Sequence, residues 1–237
     1  MPLLRETLDA LLALQQIDTQ IQRTRKTQAG LDTGADAKTK AAAARAAANL
    51  ASQEYHKVSA DLKDTELKLS SVENKAKSNQ QRMYQGTITN SKELANLEKE
   101  IASLGRQRSD LDGRVLELMD EVEAKKTAAS LAEAEAAQAE GHHQSTVAAY
   151  HSRFQSLGDD LTSLTAQRNE AAKQIEDKAM LKRYDDIRAR AAGVGIARVV
   201  DRTCGGCHMQ LGSQAINMAL GGDDLAICEN CGRMLTK

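Results

Sequence analysis

The chain has 237 residues but no tryptophan, one phenylalanine and four tyrosines, so aromatics make up only 2% of it. Aromatic side chains bury roughly 150–250 Å² each and dominate wide cores. Their scarcity excludes one large globule. Proline is also nearly absent: Pro2 is the single case, so nothing forbids helices of unusual length. No apolar run approaches the ~18 residues that would span a bilayer, which removes a membrane-inserted reading. Neither sign of charge dominates, with 32 Lys and Arg against 33 Asp and Glu. The chain as a whole is therefore not an electrostatic nucleic-acid binder. The opening stretch MPLLRETLDALLALQQID carries acids within its apolar run. It lacks a basic start and a small-residue cleavage site, so a cytoplasmic protein is expected. In that reducing compartment four cysteines read as metal ligands rather than disulfides.

What the chain does contain is alanine, leucine and alternating charge, the composition of long helices and coiled coil. Val58, Leu62, Thr65, Leu69, Val72, Ala76, Asn79 and Met83 recur at steps of four and three. Leu94, Leu97, Ile101, Leu104, Arg108, Leu111, Val115, Leu118 and Val122 do the same, and Tyr150, Phe154, Leu157, Leu161, Leu164, Arg168, Ala171 and Ile175 continue it. Sustained spacing of this kind lines one seam of a coiled coil.

Between the first two runs, YQGTITNSKE (84–93) breaks the rhythm. Asn90 followed by Glu93 resembles a capping box opening a new helix. The expectation is a turn near 85–91, centred near Ile88. A fold-back there sets the alanine-rich stretch 41–48 against 128–135, also alanine-rich, and sets Gly30 and Gly34 against 146 and 142, beside Gly141. Small residues facing small residues let helix axes approach closely. The facing glycines predict a paired kink or break. On this register residues 176–192 run past the N-terminus, and Gly193 and Gly195 end the helix. The fold class is then mainly α: a long antiparallel coiled-coil hairpin over 1–192, followed by a small β zinc ribbon over 193–237.

The ribbon rests on its cysteines. Cys204-Gly-Gly-Cys207 is followed 20 residues later by Cys228-Glu-Asn-Cys231. Alone, CGGCH (204–208) is the attachment signature of a c-type haem, but haem leaves the second pair unexplained, and no βαβ context supports a redox dithiol. Two knuckles at this spacing make a four-thiolate zinc site, with Gly205, Gly206 and Gly232 supplying backbone freedom. One structural Zn²⁺ is expected. His208 reads as a strand residue rather than a ligand. IARVV (196–200), HMQL (208–211), LAIC (225–228) and RMLT (233–236) read as short strands, with SQAINMAL between the knuckles as one short helix. So few residues cannot build a sufficient core unaided, so the metal supplies much of the folding energy.

LKRYDDIRAR (181–190), CGGCHMQL (204–211), CENCGRML (228–235) and the turn segment RMYQGTITNSKELANLEKEI (82–101) together resemble a bacterial family. In it a coiled-coil hairpin precedes a C4-type zinc ribbon, and the resemblance covers the whole chain. This sequence lacks the prolines that family ribbons often carry after the first knuckle and inside the second. The resemblance implies an accessory protein rather than an enzyme. It implies protein partners such as an alternative sigma factor or components of flagellar or type III secretion systems, and in one proposal RNA.

From Ile196 to Lys237 four cations balance four anions, and no aromatic residue is available for stacking on bases. Bound zinc with four thiolates adds about −2, so the ribbon is poorly suited to phosphate. The turn differs. Residues 74–92 hold Lys75, Lys77, Arg82 and Lys92 with no Asp or Glu, together with Tyr84 and Asn90. These six are the candidate partner-binding residues, for an acidic protein or, in the alternative reading, RNA or DNA. A solvated turn is the plainer account of the same residues. His142 and His143 point about 100° apart on a helix and chelate one metal poorly. No catalytic constellation and no small-molecule site stands out. The functional expectation is a non-enzymatic zinc-ribbon adaptor or chaperone-like protein, with a nucleic-acid-binding ribbon protein as the alternative.

Overall fold

A computed structural model describes residues 4–85, 90–221 and 224–237. They form two compact units, residues 34–147 and residues 1–33 with 148–237.

The unit 34–147 is a helical pair. Helix α2 (Ala35–Tyr84) lies against the first part of α3 (Ser91–Gln174). Val58, Thr65 and Asn79 are buried on α2, and Leu97, Leu104 and Leu118 on α3, all at the seam positions that the heptads mark. Ala48, at the end of the first alanine-rich stretch, and Ala136, just past the second, are buried. Ion pairs flank the seam: Glu54 with Lys125 at 2.6 Å, Glu73 with Arg108 at 3.1 Å and Lys75 with Glu100 at 2.9 Å. Arg45 takes both Glu133 at 2.6 Å and Glu140 at 3.2 Å. These pairings agree with a fold-back close to Ile88, although residues 86–89 of the expected turn lie outside the described residues. Arg108 is exposed rather than in the seam, where its guanidinium would lose water; it leans out to Glu73.

The expected paired break is one-sided. The first helix, α1 (Leu4–Ala29), stops before Gly34, which has φ 79°, but α3 runs unbroken through Gly141. A Cβ at Gly141 would meet nothing within 4 Å. A helical glycine costs only about 1 kcal/mol, and here the seam outweighs it. Gly34 instead abuts His143, Thr146 and Val147.

In the other unit the second arm does not outrun the first. α3 ends at Gln174, and a separate α4 (Lys178–Arg190) returns so that Asp185 pairs with Arg168. Two adjacent side chains make the corner. The Asp177 carboxylate accepts the amides of Ala179 (3.0 Å) and Met180 (2.9 Å), capping α4. The Lys178 ammonium donates to the carbonyls of Ile175 (2.6 Å), Lys173 (3.2 Å) and Ala172 (3.4 Å). Those carbonyls are left without helical partners where α3 ends, and the helix dipole favours a cation there.

Beyond α4 come β1 (Ile196–Val200), β2 (Thr203–Cys204), α5 (Ser213–Gly221), β3 (Ala226–Ile227) and β4 (Met234–Thr236). The sheet order is β2-β1-β4-β3, with β1 and β4 parallel and both outer pairs antiparallel. HMQL does not form a strand; Gln210 alone bridges to Thr203. Strand alternation sends neighbouring residues to opposite faces. Ile196 and its partner Met234 enter one core with Leu8, Leu11, Leu14, Ala172, Ile175, Tyr184 and Ile187. Ala197 and its partner Leu235 enter another with Leu211, Ala215, Ile216, Ala219, Ala226 and the buried cysteines. The sheet is thus shared between the helical base and the ribbon.

Candidate metal centre

The two knuckles are built alike. The amide four residues after the first cysteine returns to that cysteine's carbonyl: His208 to Cys204 at 2.7 Å, Gly232 to Cys228 at 2.8 Å. Each first cysteine then donates its own amide onward, Cys204 to Met209 and Cys228 to Arg233, both at 2.9 Å. The residue after the second cysteine must turn left-handed, with φ 72° at Gly232 and φ 61° at His208. His208 is therefore an exposed turn residue, not a strand residue, and it takes a conformation that β-branched side chains reject. In the CGGC knuckle the two glycines serve close approach rather than φ. A Cβ at Gly205 would sit 2.8 Å from the Arg198 carbonyl oxygen, and one at Gly206 2.6 Å from Cδ of Arg233.

All four sulfurs lie within 4.8 Å of one another. Cys204 Sγ is 3.8 Å from Cys231 Sγ, and Cys207 Sγ is 3.8 Å from Cys228 Sγ. A tetrahedron with Zn–S near ~2.3 Å has edges of about 3.8 Å. The donor set therefore fits one zinc ion with no fifth group needed. Cys204 and Cys228 are buried while Cys207 and Cys231 are half-exposed. Without metal, burial pushes the Cys204 thiol up to about 12 and raises Cys228 also. Cys207 is lowered to about 6, first by the Met209 amide and also by the Asn230 side chain. Zinc supplies the positive charge that makes two buried thiolates tolerable, and binding it expels their protons.

A second constellation, not legible in the sequence, mounts this centre on the helices. Asp18 is 2% exposed; it accepts the Tyr184 hydroxyl at 2.7 Å and Arg188 Nη1 at 2.8 Å. Arg168 Nε stands 3.6 Å away, and its Nη2 pairs with Asp185. Gln15 grips the chain entering the ribbon. Its Nε2 donates to the Gly193 carbonyl at 2.9 Å, and its Oε1 accepts the Gly195 amide at 2.6 Å. Arg233, next to the second knuckle, donates to the carbonyls of Val194 (3.1 Å) and Ala191 (2.7 Å). Tyr184 and Arg188 fall within LKRYDDIRAR, but nothing in that run marks them as burying a charge.

The structure separates the six candidate partner residues by role. Asn90 is the N-cap of α3, its side chain accepting the Lys92 amide at 3.0 Å. Lys75 is paired with Glu100, whose carboxyl it holds below the ordinary range. Lys77, Arg82 and Lys92 are exposed, and Tyr84 is 81% exposed.

Comparison with known proteins agrees with both halves. The family model described as CT398-like coiled coil hairpin domain matches residues 14–192, and that of the C4-type zinc ribbon domain matches residues 203–235. Two uncharacterised Mycobacterium tuberculosis proteins, MT2288 of strain CDC 1551 and Rv2229c of strain H37Rv, are each 26% identical over 160 residues. Those matches span 63% of this chain and 61% of each relative's length. Among solved structures, CT398 from Chlamydia trachomatis superposes with TM-score 0.66 at 19% identity, covering 98% of both chains. A Mycobacterium smegmatis structure does so with TM-score 0.63 and the same identity and coverage. At that identity the likeness shows the fold. No helix among the described residues is long and apolar enough to cross a membrane.

Proposed function

The chain belongs to the CT398-like coiled-coil hairpin family, with a C4-type zinc ribbon, and from that premise we propose a non-enzymatic cytoplasmic adaptor. The observation that carries this reading is the closed metal site. Four sulfurs within 4.8 Å of one another, two pairs of them at 3.8 Å, satisfy zinc and leave no position for substrate. The metal then holds shape, and what the protein offers to others is surface. On the helical pair that surface includes the exposed Lys77, Arg82, Tyr84 and Lys92 near the end of α2 and the start of α3. Resemblance makes an alternative sigma factor or a secretion component the first partners to test.

The test is site-directed photocrosslinking in the native host from positions 84 and 209, followed by identification of the captured protein. The expected result is a reproducible protein adduct lost in a Lys77→Glu/Arg82→Glu variant or in Cys228→Ser. Adducts to RNA in place of protein, or none dependent on either region, would overturn the proposal.

A further inference from the structure

We propose that Asn230 is a positioning residue for zinc, holding the Cys207 thiolate in the metal's coordination shell from the opposite knuckle. The Asn230 side-chain amide donates from Nδ2 to Cys207 Sγ at 3.6 Å. Asn230 belongs to the second knuckle and Cys207 to the first, so the bond crosses the centre rather than bracing its own turn.

The asymmetry of the two knuckles supports this assignment. Position 230 in CENC corresponds to position 206 in CGGC. At 206 a Cβ would lie 2.6 Å from Cδ of Arg233 and 3.1 Å from its Nε, so a side chain there would have to push aside the Arg233 side chain that is bonded to Val194 and Ala191. With glycine at 206, the first knuckle has no mirror-image side-chain donor to Cys231. The chain places its side-chain donor on Cys207, which is half-exposed, unlike its buried neighbour Cys204.

The chemistry follows from the charge on sulfur. A thiolate in a four-sulfur zinc shell keeps excess negative charge and is open to electrophiles and to competing protons. An N–H donor disperses that charge and fixes the sulfur's direction. Outer donors of this kind are worth about 10–100-fold in metal affinity at enclosed sites. Asn230 is solvent-exposed, so the expected effect lies near or below the lower end of that range, about 3–10-fold.

The experiment uses the zinc-loaded full chain at one pH. Zinc transfer to a chromogenic chelator is timed, and alkylation of each cysteine by iodoacetamide is followed by peptide mass mapping. Asn230→Ala should release zinc about 3–10-fold faster and raise alkylation of Cys207 relative to Cys231. Asn230→Gln, which keeps the amide donor, should restore much of both. Glu229→Gln, in the same turn, should behave as wild type. A wild-type release rate in Asn230→Ala overturns the proposal. So does an equal rise at Cys207 and Cys231, or an equal effect of Glu229→Gln, since each would mean that the knuckle had merely loosened.

Discussion

Replacing Tyr184 by phenylalanine tests whether the buried clasp holds α4 and the ribbon entry against α1. The ring is fully buried among Leu8, Leu11, Leu14 and Met234, and phenylalanine preserves that packing. What is lost is one hydroxyl, 2.7 Å from Asp18 Oδ2 and 3.2 Å from Gln15 Oε1. A hydrogen bond to a charged group contributes about 1.5–3 kcal/mol. Asp18 keeps Arg188, so the remaining carboxylate is weakened rather than orphaned. If α4 opens as a local unit, its slowest amides should exchange about 10–150-fold faster. Hydrogen–deuterium exchange resolved to peptides 4–29 and 178–190 reads this directly. Tyr55→Phe, at a half-exposed ring on α2, is the control. The two forms should also differ at high pH. Burial, and then the Asp18 contact, raise the Tyr184 hydroxyl above its usual 10.0. Its contribution is therefore complete below pH ~10 and is lost as pH climbs beyond it. The phenylalanine variant lacks that extra alkaline loss. Exchange in α4 within twofold of wild type would refute the clasp as the mount.

In the helical pair, Leu118→Ala should cost about 2–5 kcal/mol because Leu118 is buried in the seam. Leu116→Ala, two residues away and 65% exposed, should stay within about 0.5 kcal/mol, and urea unfolding separates the two. Zinc chelation, or Cys228→Ser, should raise exchange in peptides 196–236 and also in 4–29 and 178–190, because Ile196 and Met234 belong to the helical core. Confinement of the effect to 196–236 would contradict that shared core.

Much of this architecture was legible because it rests on periodicity and spacing. The seam on α2 and α3 follows the heptads almost residue for residue, and the four sulfurs converge as the two C-x-x-C motifs require. The break after Gln174 was not legible, because Ile175 continues the heptads in sequence while two short-range caps end the helix in space. Asp177 and Lys178 look like ordinary surface charge until each is seen holding backbone groups. Asp18 misleads similarly: in QQID it reads as a solvated acid, yet it is buried by residues some 170 positions away that periodicity cannot bring together. His208 was recoverable by another route. Aligning the two knuckles sets His208 against Gly232, and glycine at that place signals the left-handed turn that both adopt.

The shared sheet bears on how zinc acts. β1 and β4 are neighbours only through a parallel register, Ile196 with Met234 and Ala197 with Leu235. Residues 201–233 separate them in sequence, and both knuckles lie in that interval. Three paired positions in so short a ladder cannot offset the entropy of closing that loop on their own. A zinc ion held by the four cysteines would close it by joining Cys204, which follows β1, to Cys231, which precedes β4. Arg233 then ties the same knuckle to Ala191 and Val194, while Gln15 fixes Gly193 and Gly195 from the helix side. A zinc ion held there would fix the register that places Ile196 and Met234 in the same buried core as Tyr184, so its contribution would reach past the ribbon into the helical base.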